Sequence, residues 1–182
     1  MRPRARAAAG ALSGVLSLTG LLLAGLTGCA PSTPRPDPDE TIKAATHLLT
    51  VACLARQGLT PPRPGQSPQP ADRQQRVTDA LFGTGPAELS VTLPTGYAVH
   101  AHTNGCLAEA QQRLYGDQRR WFRASVIVNN FGPEADHTHS SLSEVRARHR
   151  AEIDDWKRLR AHALTEATTV FDNPPSKGAS RS

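Results

Sequence analysis

The opening stretch of this chain constrains its fate more than any other segment. Arg2, Arg4 and Arg6 give a positive start, and Ala7 to Leu26 follows with no charge and many Leu, Ala and Gly. A basic stretch ahead of an apolar one is the pattern of an export signal. Whatever follows then folds outside the reducing cytoplasm, where cysteines pair. The apolar run comes near the length of a membrane span, so an uncleaved anchor and an ordinary secreted product are competing readings. Gly10, Gly14, Gly20 and Gly25 interrupt the run and weigh against a span.

The run ends in Leu26-Thr27-Gly28-Cys29, which resembles the lipobox of bacterial lipoproteins. The resemblance implies that the Cys29 thiol receives a diacylglycerol and that cleavage before it removes residues 1–28. The first partner it implies is therefore a membrane, met through lipid on Cys29 at the outer face of the cytoplasmic membrane. One acyl chain, at about 0.8 kcal/mol per buried methylene, binds a bilayer only marginally, whereas two hold stably.

Cleavage at that point leaves 154 residues, the size of one ordinary domain. The full chain carries +5, but Arg2, Arg4 and Arg6 leave with the signal, so the mature chain has 18 bases against 16 acids. That balance offers no basic face for a nucleic acid. Lys occurs only at Lys43, Lys157 and Lys177, so nearly every base is Arg.

With Cys29 assigned to lipid, Cys53 and Cys106 remain. An even pair outside the cytoplasm reads as a disulfide. The competing reading, a catalytic or metal-binding thiol, lacks a CxxC pair. Cys53-Leu54-Ala55-Arg56-Gln57-Gly58, and Gly105-Cys106-Leu107-Ala108-Glu109-Ala110 followed by Leu114-Tyr115-Gly116-Asp117, resemble segments of small secreted proteins and lipoproteins of high-GC Gram-positive bacteria. This likeness implies the same pairing and supplies no activity.

Four prolines between Ala30 and Asp39 predict an extended tether over residues 29–39, able to span about 30 Å. Residues 40–171 are expected to form a mainly α, disulfide-tied domain of four or five helices with one short β-hairpin, and 172–182 a disordered tail. Asp37 and Pro38 announce the first helix, which Gly58 closes. Thr60 to Pro70, with five prolines, reads as a loop, either a stiff connector or a proline-rich ligand. Ala71 to Phe82 reads as a helix with Val77, Ala80 and Leu81 inward. Leu89, Val91 and Leu93 alternate, as do Tyr97, Val99 and Ala101, around Pro94-Thr95-Gly96, which predicts the hairpin. Asn104 is the expected cap of the next helix and Asp117 of the one after. Ser141-Leu142-Ser143-Glu144 is a capping box that opens one long final helix, with Leu142, Val145, His149, Ile153, Trp156, Leu159 and Ala163 on its stripe. His149 reads as a half-buried core residue bonded to a neighbour, since no carboxylate shares its stripe.

Candidate chemistry is sparse, and no catalytic residue is assigned. His100 with His102, and His137 with His139, have metal-like spacing and suit Zn²⁺ or Cu²⁺ if the two pairs converge. The first pair falls on a hairpin arm and the second in a loop after Gly132-Pro133. Ser140 or Ser141 with His137, His139 and Asp136 would make a hydrolase, but no Gly-x-Ser-x-Gly elbow is present. Arg119-Arg120-Trp121-Phe122-Arg123 offers contact with an anionic head group or wall polymer, or simply a helix with its aromatics inward. No P-loop, dinucleotide fingerprint or EF-hand appears, and no cofactor is expected. The overall expectation is a non-enzymatic interaction or structural module of the cell envelope with a protein or polymer partner. The alternative is a metal-binding lipoprotein.

Overall fold

Asp37 starts the first helix as the sequence predicts. Its carboxylate accepts from the N–H of Asp39 at 2.7 Å, Pro38 takes the first helical position, and α1 runs Pro38–Arg56. These features belong to a computed structural model that describes residues 37–61, 65, 67 and 69–175. Residues 1–28, Cys29, the tether up to residue 36 and the tail from residue 176 lie outside the described residues. Among the described residues no helix is long and apolar enough to cross a membrane.

The chain continues through α2 (Ala71–Phe82), β1 (Leu89–Thr92), β2 (Ala98–Ala101), α3 (Cys106–Tyr115), α4 (Gln118–Asn129), α5 (Phe131–Thr138), α6 (Leu142–Arg148) and α7 (Arg150–Asp172). The fold is mainly helical with one antiparallel hairpin, in which Leu89 pairs with Ala101, Ser90 with His100, Val91 with Val99 and Thr92 with Ala98. Among the described residues seven helices stand where four or five were expected, for two reasons. Phe131–Thr138 is helical although it contains Gly132-Pro133. Pro133 sits in the first turn, where its missing N–H would have had no partner anyway. The final stripe is divided at His149, whose φ of −105° and ψ of 34° leave the helical region between α6 and α7.

Three packed clusters form the core. In the first, α1, α3 and α7 meet through Ile42, Ala45, Leu114, Leu159, Ala163 and Val170, and the small side chains of Ala45, Ala163 and Ala167 are buried there. Tyr115 lies in the same cluster with its ring stacked on Trp121 at 3.7 Å, and burial pushes its phenol up to about 12. The second joins the hairpin to α4, α5 and α6 through Val91, Ile127, Phe131, Ala135 and Val145. Burial of Ile127 overrides the weak helical preference of Val126-Ile127-Val128. The third surrounds Cys53 and Cys106 with Leu54, Leu59, Ala80 and Leu81.

The cap expected at Asn104 is a correction. Its side chain instead bonds Thr84, accepting from the N–H at 3.2 Å and donating to the carbonyl at 3.0 Å, and Gly105 precedes α3. Gly83 and Gly105 make this closure possible. Both have positive φ, and a Cβ on Gly105 would lie 2.5 Å from the Gly83 nitrogen.

Candidate functional site

The last turns of α1 carry Cys53 and the first turn of α3 carries Cys106. Their sulfurs are bonded, with Cα atoms 5.5 Å apart and exposures of 3% and 0%. The amide of Gln57 lies 3.4 Å from Cys106 Sγ and 3.7 Å from Cys53 Sγ, roofing the bridge. A bridge spanning 53 positions stabilises the fold by about 4 kcal/mol through the unfolded chain. Both sulfurs are thereby committed to structure.

The histidine pairs stand on different elements. His100 is exposed on β2 opposite Ser90. His102 follows that strand, half-buried, with its Nδ1 enclosed and unpartnered and its carbonyl accepting from the Gln118 amide at 3.3 Å. Glu88 accepts from the N–H of Thr103 at 2.9 Å, and this bond, together with nearby His102, holds its carboxyl below the ordinary value. His137 is exposed in the last turn of α5, and His139 ends that helix in the left-handed conformation at φ 51°. Placing His137 in a loop is therefore corrected, since the first-turn proline starts a helix here, while His139 lies in the turn that follows it. Among the described residues no group of three or more His, Cys, Asp or Glu side chains is gathered at metal-binding spacing. The serines beside the second pair have other work. Ser141 Oγ caps α6 and lies 2.8 Å from Glu144, while Ser140 Oγ lies 3.1 Å from Thr138. The bonds Glu144 accepts from Ser141 hold its carboxyl low.

The basic-aromatic run on α4 takes its inward form. Trp121 stacks on Tyr115 and Phe122 packs on the second cluster. Arg120 grips Asp155 through two bonds of 2.9 and 3.1 Å. Asp155 also accepts from Arg158, and both guanidinium partners, Arg158 foremost, hold its carboxyl low.

A polar cluster gathers where α5, α6 and α7 meet. Glu134, only 4% exposed, lies 2.9 Å from His149 Nε2 and 3.2 Å from Arg148. Glu152 lies 3.7 Å from His149 Nδ1 and accepts from Arg123 at 3.0 Å. Burial pushes the Glu152 carboxyl up, but the Arg123 bond and the neighbouring charges outweigh it and hold the group below its ordinary value. Phe131 stacks on the His149 ring at 5.7 Å. Sequence reasoning placed His149 half-buried with a bonded neighbour but missed its partners. Glu152, three residues on, was legible from helix spacing. Glu134 was not, because its segment read as a loop. Both imidazole nitrogens face carboxylates, and the cluster ties three helices together.

One side of this cluster opens on a cavity of about 370 Å³ lined by consecutive residues of β1 and its turn, Ser90 to Pro94, with Arg123, Ile127 and His149 opposite. A larger cleft of about 960 Å³ runs between Leu49, Leu89 and Ala110 on one hand and Gln112, Arg113 and Arg119 on the other. A third, of about 560 Å³, lies against Ile42, Trp121, Trp156 and Arg160. Its Trp156 face is covered by the Arg160 guanidinium at 4.2 Å, and Arg160 is paired with Asp39.

No protein-family model matches this chain, and no curated protein or solved structure matches it either. The functional reading rests on the residues themselves.

Proposed function

We propose that this chain is a membrane-anchored extracytoplasmic lipoprotein whose folded part serves as a non-enzymatic interaction module of the cell envelope. The observation that carries the reading is the buried Cys53–Cys106 bridge, which suits an oxidising compartment. It agrees with the export pattern of residues 1–26 and with the Leu26-Thr27-Gly28-Cys29 ending. The polar clusters at the Ser141 cap and around His149 serve capping and ties between helices.

The test is lipid labelling of cells producing the wild-type chain or Cys29→Ser. The wild type should incorporate labelled fatty acid and sediment with membranes, and Cys29→Ser should lose the label. A labelled Cys29→Ser chain, or an unlabelled wild type, overturns the anchor.

A further inference from the structure

The cavity of about 370 Å³ beside β1 is lined by five residues in a row, Ser90 to Pro94. Side chains of a strand alternate between its two faces, so a cavity touching every one of them runs along the strand's edge. The hairpin register fixes what that edge offers. Leu93 donates its N–H to the Tyr97 carbonyl at 2.8 Å, which makes Leu93–Tyr97 a hydrogen-bonded pair. Counting back along the register, Val91–Val99 and Leu89–Ala101 are bonded pairs, while Thr92–Ala98 and Ser90–His100 are not. The N–H and C=O groups of Ser90 and Thr92 therefore point away from β2, into the cavity. Among the described residues no backbone group outside the ladder bonds them.

Two further features describe what fits. Val91 and Ile127 are apolar and pack together on the inner side, whereas Ser90 and Thr92 are exposed on the outer side. The ionisable groups on the cavity wall are Arg123 and His149. Their carboxylate partners Glu134 and Glu152 do not line it. The cation beside the strand edge is the Arg123 guanidinium, whose side chain is 63% exposed and which engages Glu152 through one of its nitrogens.

We infer that the outer edge of β1 is a docking site for a short acidic peptide segment that adds as a third strand. Only another extended backbone matches donors and acceptors repeating every second residue. Its alternate apolar side chains meet Val91 and Ile127, and its carboxylate meets Arg123. This deepens the reading of an interaction module by naming a partner class. It is independent of lipid on Cys29, so either can fail alone.

The probes are fluorescent hexapeptides of alternating Val and Thr ending in Glu, the same peptides ending in Lys, and versions N-methylated at alternate amides. Binding to the full chain is read by anisotropy, and amide exchange of residues 88–94 by mass spectrometry. The glutamate peptides should bind at least tenfold tighter than the lysine peptides and slow exchange in that segment. N-methylation on the pairing side should abolish binding. Thr92→Pro removes an outward N–H and leaves the ladder intact, so it should weaken binding at least tenfold. Peptide methylation leaves the protein untouched, which separates lost binding from lost folding. Absence of binding by every hexapeptide overturns the proposal, as does binding indifferent to N-methylation. Concentration-dependent dimerisation of the full chain that Thr92→Pro abolishes would assign the edge to a second copy instead.

Discussion

Replacing both Cys53 and Cys106 by alanine removes the disulfide cross-link between α1 and α3. The link spans 53 positions, and in the chain-entropy model a loop of that length contributes about 4 kcal/mol. The double variant also takes two sulfurs out of a packed site in which the residues are 3% and 0% exposed, so packing loss adds to the entropic loss. For a domain of this size each kcal/mol moves the melting temperature by about 2–4 °C, and the expected fall is about 8–16 °C. Urea unfolding of the oxidised wild type and the double variant measures the difference directly, with thiol titration under denaturing conditions as the control. A wild type without free Cys53 or Cys106 thiols and a stability difference below about 1 kcal/mol would refute the reasoning.

Three other perturbations probe other parts of the fold. Glu134→Ala deprives His149 and Arg148 of a buried carboxylate and should cost about 2 kcal/mol in the same urea assay, less than a fully buried pair because Arg148 is half exposed. Tyr115 keeps its proton in the folded state up to about 12, above its unfolded value near 10. The unfolded chain therefore releases that proton first as pH rises, so stability should fall between those two values. Tyr115→Phe should remove that part of the alkaline fall, read from unfolding midpoints at successive pH values. Gly105→Ala places a methyl 2.5 Å from the Gly83 nitrogen at a φ of 98° and should cost at least about 2 kcal/mol, seen as a lowered melting temperature.

Much of the fold was legible where local chemistry acts alone. The Asp37, Asp117 and Ser141 caps each bond the expected first-turn N–H groups, and alternation around Pro94-Thr95-Gly96 gave the hairpin. The cysteine pairing also followed from an even count in a chain whose start reads as an export signal. Legibility ended where an interaction came from a distant element. Asn104 looks like a cap, but Thr84, twenty positions back, claims its side chain. His149 looks like one more position on a continuous stripe, yet the chain departs from helical geometry there, and the ring meets Glu134 fifteen positions away. Leu142, at the start of that stripe, is 44% exposed. Residues 131–138 looked like a loop because Gly132-Pro133 breaks a helix interior, whereas a first turn tolerates both. Of the candidate sites, the cysteine pair was visible in sequence, while the open edge of β1 depends on the packing of α4 and the α6–α7 junction beside it.

The central claim is tested most directly by the mass of the N-terminal peptide of the mature protein, isolated from membranes and read by tandem mass spectrometry. The account predicts that this peptide begins at Cys29 and carries a thioether-linked diacylglycerol on that residue. A peptide that begins upstream of Cys29, or an unmodified Cys29 in the membrane-derived protein, would contradict it.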